Sequence, residues 1–139
     1  MMNKMPQFVC ADETAFANEL YMSYDQIKLM KRSGMYFGIH GYEHYWFERL
    51  TAEQYTSEIG QALDVLEKVI DRENWIFCYP YGSYSGVLID YCASIGCKAG
   101  FTSEVRVADL AEDNPLLLPR LDTNDYPPKS DQYMRFRKQ

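Results

Sequence analysis

The chain has 139 residues, of which 47% are apolar and 15% aromatic, enough for one hydrophobic core and too few for two independent domains. A formal charge of -6 excludes a nucleic-acid binder, which needs Lys and Arg clustered on one face; the only basic stretch, Arg135 to Lys138, reads as a frayed terminus. Charges break every apolar run before the ~18 residues of a membrane span, and Met1 to Pro6 lacks the features of a secretory signal, so a soluble, cytoplasmic protein is expected.

In chain order, Phe8, Val9 and Cys10 form a short apolar run that suits a buried strand, and the polar stretch from Ala11 to Asn18 reads as a loop. Ser23 is a candidate N-cap, with Asp25 and Gln26 in the first turn. The apolar positions Tyr24, Ile27 and Met30 follow, and the helix stops at Ser33 and Gly34. Met35 to Ile39 is predicted to be a strand that delivers His40 at its end.

Thr51 and Gln54 match a capping box, and Tyr55, Ile59, Ala62, Leu63, Leu66 and Ile70 recur at helical spacing. The opposite face, with Glu53, Glu58, Asp64, Glu67 and Lys68, reads as solvated surface. Trp75 to Tyr79 is predicted to be a strand stopped by Pro80, followed by a loop from Gly82 to Gly86. A helix from Val87 to Ile95 then ends at Gly96, and Cys97 to Thr102 is the next strand.

Nearly continuous apolar strands alternating with helices indicate a parallel α/β sheet, in which chemistry collects at the carboxyl ends of the strands. His40, Tyr81 and the residues after Leu118 fall at such ends. Cys10, Cys78, Cys92 and Cys97 include no C-x-x-C pair and sit among apolar neighbours, so they are expected to be reduced and to fill core.

The chain's two histidines, His40 and His44, stand at i and i+4. If the chain turns helically after the strand, both imidazoles lie on one face about 5–6 Å apart, a spacing suited to one metal ion. Two ordinary surface or hydrogen-bonded histidines are the alternative. The order differs from the H-E-x-x-H motif, because Glu43 adjoins the second histidine.

The segment Tyr24 to Leu50-Thr51, with Gly38-Ile39-His40 leading to His44 and then a capped helix, resembles the polysaccharide deacetylases of the NodB-homology fold, carbohydrate esterase family four. Phe77-Cys78-Tyr79-Pro80-Tyr81-Gly82 is similar to a second motif of that family, an Arg-Pro-Pro-Tyr-Gly-like strand end. The resemblance spans most of residues 7–125. It implies a partial or distorted (β/α) barrel over residues 1–125, incomplete at its N-terminus, followed by a tail over 126–139.

The resemblance further implies a divalent metal, most naturally zinc, held by His40 and His44, and hydrolysis of the acetamide of an N-acetylated polysaccharide of cell-surface or lipopolysaccharide type. The backbone N–H of Tyr81 would be the oxyanion contact. Tyr42, Tyr45 and Trp46 would flank the cleft and stack on sugar, although aromatics after a strand are as often core. Arg120 stands as a substitute for the family arginine whose place Cys78 takes, or else is a surface residue or pairs structurally with Asp122.

The family's Asp-Asp motif, source of the general base and the third metal ligand, has no counterpart before His40, and Asp12 is a poor substitute. No histidine follows His44 to serve as catalytic acid. Three readings follow: part of a longer deacetylase, a shortened relative that borrows Asp122, Asp125 or Glu43, or a non-catalytic remnant that binds carbohydrate or metal. Exposed sheet edges left by missing strands imply a homo-oligomer.

Overall fold

The structure, a computed structural model, describes residues 12–131. Residue contacts divide the chain into two compact units, Met1–Met35 and Tyr36–Gln139. The strand expected at Phe8 to Cys10, and Cys10 itself, lie outside the described residues.

The first unit carries α1 (Glu13–Leu20) and α2 (Tyr24–Arg32). The loop expected from Ala11 to Asn18 is therefore mostly helix. Asp12 explains why: its carboxylate accepts from Ala15 N–H at 3.0 Å, satisfying one of the donors that a helix start leaves open. Asp12 is thus an N-cap. In α2, Ser23 and Gln26 form a reciprocal capping box, and Gly34 takes φ 87 just past the C-cap Ser33. Tyr24, Ile27 and Met30 form its half-buried stripe.

The second unit is built on a parallel pair, β1 (Trp75–Cys78) and β2 (Cys97–Phe101), joined by α4 (Gly86–Ser94). Parallel bridges widen the pair on both sides, Ile39 to Phe77 and Phe101 to Leu118. Segments 39, 75–78, 97–101 and 118 thus lie side by side in chain order, all running the same way. Among the described residues this is a narrow parallel sheet with helices and not a closed barrel. The strand expected over Met35 to Ile39 contracts to the single bridge at Ile39, whose N–H donates to Ile76 at 2.9 Å and whose carbonyl accepts from Cys78 at 3.0 Å.

The helix α3 (Ala52–Val65) begins on the Thr51/Gln54 capping box. It ends earlier than the apolar spacing suggested: Leu66 is its C-cap, and Val69 and Ile70 are buried in the turn that follows. Tyr55, Ile59, Ala62 and Leu63 from α3 join Leu88, Ile89 and Cys92 from α4 and Trp75 and Phe77 from β1 in one core cluster. Cys92 and Cys97 are buried as expected of core thiols, and Cys78 is half-buried. None of the helices formed by the described residues is long and apolar enough to cross a membrane.

Candidate metal and carbohydrate site

His40, the Pro80–Gly82 turn, Ser103 and Arg120 follow the carboxyl ends of the four aligned segments. The link from His40 to His44 is not the helical turn that the i, i+4 spacing suggested. It is an open loop in which Gly41 takes φ 78 and His44 φ 60. A non-glycine residue in the left-handed region costs about 1–3 kcal/mol and persists only where its surroundings enforce it. Here it turns the second imidazole back onto the first, leaving the two Nε2 atoms 3.0 Å apart.

The tautomers follow from their partners. His40 Nδ1 lies 2.5 Å from the Cys78 carbonyl oxygen, which carries no proton, so Nδ1–H donates and Nε2 presents its lone pair. His44 Nε2–H then donates to His40 Nε2. A histidine whose Nδ1–H is held by a backbone carbonyl, which leaves Nε2 as the lone-pair nitrogen, has the arrangement typical of metal-ligating imidazoles. Two nitrogens bound to one tetrahedral zinc at about 2.0–2.1 Å would stand about 3.3 Å apart, a few tenths of an ångström wider than here. Both rings are exposed. The donor set therefore fits two coordination positions of a divalent cation; among the described residues no group of three or more His, Cys, Asp and Glu side chains converges.

The sequence did not reveal what holds this loop. Glu58, expected on the solvated face of α3, is buried at 6% exposure, and its Oε2 accepts from Tyr42 N–H at 3.1 Å and Glu43 N–H at 2.8 Å. The signal was present: Glu58 continues the i, i+3, i+4 stripe of Tyr55 and Ile59, and an acidic residue on an apolar stripe calls for a partner.

Tyr81 takes φ 58 inside the Pro80–Gly82 turn. The hydrogen bonds of that turn come from Gly82 N–H to the Tyr79 carbonyl and from Ser83 N–H to the Pro80 carbonyl, both at 2.9 Å. Among the described residues Tyr81 N–H has no protein acceptor. The Tyr81 ring meets His44 edge-on, centroids 4.7 Å apart, and lies flat on Trp46 at 4.4 Å. The guanidinium carbon of Arg49 lies 5.3 Å from the Trp46 ring centroid, so this indole is already partnered twice. Tyr42 and Tyr45, both about half exposed, make no ring contact among the described residues. Tyr45 borders a cleft of about 430 Å³ shared with Leu50, Gln54, Ser57 and Glu58.

Arg120 donates from Nε to the Thr102 carbonyl at 3.0 Å, tying two segment ends together. Asp122 instead caps its own short turn, accepting from Asn124 N–H at 2.8 Å, which with neighbouring hydrogen bonds holds its carboxyl below the usual range.

A parallel α/β sheet whose carboxyl edge carries a paired-imidazole loop beside a turn with an open backbone donor is a scaffold of the NodB type. The chain belongs to the polysaccharide deacetylase family, whose model matches residues 4–100. It is also similar to the Streptococcus pyogenes deacetylase PplD, solved in complex with acetate, with a TM-score of 0.71 and 25% identity over 88% of this chain and 53% of that one. It thus spans about half the length of that structure. No curated protein matches the chain.

Proposed function

We propose that this chain carries part of the site of a metal-dependent N-deacetylase acting on an N-acetylated polysaccharide, and that His40 and His44 are two of its metal ligands. The observation that carries the reading is the convergence of the two Nε2 atoms at 3.0 Å, with His40 Nδ1–H fixed on the Cys78 carbonyl. Family membership and the likeness to an acetate-bound deacetylase support the reaction class.

A divalent cation held by His40 and His44, zinc being the natural choice for imidazole ligands, would acidify a water and polarise the acetamide carbonyl. The remaining contributions belong to the chain. Tyr81 N–H, left open by the turn, donates to the carbonyl oxygen as charge develops on it. The stack on Trp46 fixes the turn that presents this donor. Tyr42 and Tyr45 offer free ring faces on which a sugar can stack.

Metal analysis of the purified chain, together with acetate release from chitooligosaccharide and peptidoglycan fragments, tests the reading. Bound zinc with acetate release is the expected result. Bound zinc without turnover on any substrate would favour the non-catalytic binding remnant, and no metal and no acetate would overturn both.

A further inference from the structure

We infer that Glu58 is a positioning residue for the His40–His44 pair, acting through the backbone of the loop between them; the inference rests on the metal-clamp reading above. Regular secondary structure does not hold the loop, and its two left-handed residues, Gly41 and His44, lie either side of Tyr42 and Glu43. The amides of those two middle residues both donate to one oxygen of Glu58. Glu58 itself projects from α3, whose Tyr55, Ile59 and Leu63 are locked in the core, so the anchor is as rigid as the helix. A buried carboxylate costs much unless it is hydrogen-bonded, so the two bonds hold both partners: the loop fixes the charge and the charge fixes the loop.

Without this anchor the loop loses its only described link to α3 through a side-chain acceptor, and His44 is no longer turned onto His40. Loss of a partner that holds a metal ligand in place typically changes metal affinity by about 10- to 100-fold. The substitution Glu58→Gln retains an oxygen able to accept both amides, so this conservative change should largely rescue the loop.

The test compares full-chain Glu58→Ala and Glu58→Gln with wild type in three measurements: zinc affinity by competition with a chromophoric chelator, amide hydrogen exchange without metal, and thermal unfolding. The expected result for Glu58→Ala is a zinc affinity about 10- to 100-fold weaker, with protection lost at Tyr42 and Glu43 but kept in β1 and α4, and with Glu58→Gln within a few-fold of wild type. Wild-type affinity and protected Tyr42 and Glu43 amides in Glu58→Ala would overturn the inference, as would protection lost equally throughout the unit. A wild-type chain that takes no zinc, while Glu58→Ala still frees those two amides, would instead sink the metal reading and leave Glu58 as the loop's anchor.

Discussion

The indole of Trp46 lies flat on the ring of Tyr81, centroids 4.4 Å apart and planes 6° from parallel. Trp46 belongs to the loop after His44 and Tyr81 to the turn after β1, so the stack couples the imidazole pair to the proposed oxyanion donor. Such a pair contributes about 0.5–1.5 kcal/mol beyond the area it buries.

Trp46→Ala should therefore lower stability by about 1 kcal/mol and acetate release by roughly tenfold or more, because the Tyr81 N–H loses its fixed aim. Trp46→Phe, which can still stack, should recover most of both. Unfolding midpoints and initial rates on one substrate check this; unchanged rates in Trp46→Ala would show that the stack does not serve the turn.

Gly82 stands at φ 68, and a Cβ there would lie 2.1 Å from Ser103 Oγ, 2.8 Å from Ser103 N and 2.9 Å from Ser103 Cβ. Rotating the hydroxyl relieves only the first clash. Gly82→Ala should cost about 2 kcal/mol or more, read as a lower unfolding midpoint in urea with an unchanged slope. Wild-type stability would mean that the Pro80–Gly82 turn does not pack against Ser103 as closely as these distances require.

Burial pushes the Cys92 thiol up to about 12 and the Cys97 thiol up to about 11, so neither holds thiolate at neutral pH. Iodoacetamide at pH 7.5 should leave both unmodified in the native chain and label both in denaturant, as read by mass spectrometry. Rapid native labelling of Cys92 would contradict its place in the core.

Arg106 grips Asp113 with both terminal nitrogens, Nη1 to Oδ2 at 2.7 Å and Nη2 to Oδ1 at 2.6 Å. The Arg106 hydrogen bonds, then the Asp109 N–H, hold the Asp113 carboxyl down to about 2 from an ordinary 3.8. A carboxyl whose folded value is depressed adds stability that is fully present above its unfolded value, here above about pH 4, and is lost as pH falls from there toward 2. Asp113→Asn should remove that dependence. Thermal unfolding from pH 5 to pH 2 should thus fall less steeply in the variant than in wild type, and parallel curves would contradict the assignment.

The elements legible in the sequence were those written in local chemistry. Ser23 with Gln26 and Thr51 with Gln54 announced two helix starts through their capping boxes, and the apolar run Trp75 to Cys78 before Pro80 announced β1. Helix α1 was hidden because its eight residues carry just one large apolar pair at helical spacing, Phe16 and Leu20, too short a pattern to separate from a loop, and only Asp12 marked its start. Met35 to Ile39 carried strand composition, but pairing is a tertiary event and only Ile39 achieves it.

At the candidate site, the two histidines were visible as a pair but not the way they meet. The left-handed turn at His44 and the reach of Glu58 across the loop arise from contacts distant in sequence. Likewise Trp46 reads as a free sugar-stacking ring until Tyr81 and Arg49 are seen against it.

The most direct test of the metal clamp is diffraction from zinc-soaked crystals at the zinc absorption edge. A single anomalous peak about 2.0–2.1 Å from both His40 Nε2 and His44 Nε2 is the expected result. An empty map at that place, with the two rings turned away from one another, would contradict it.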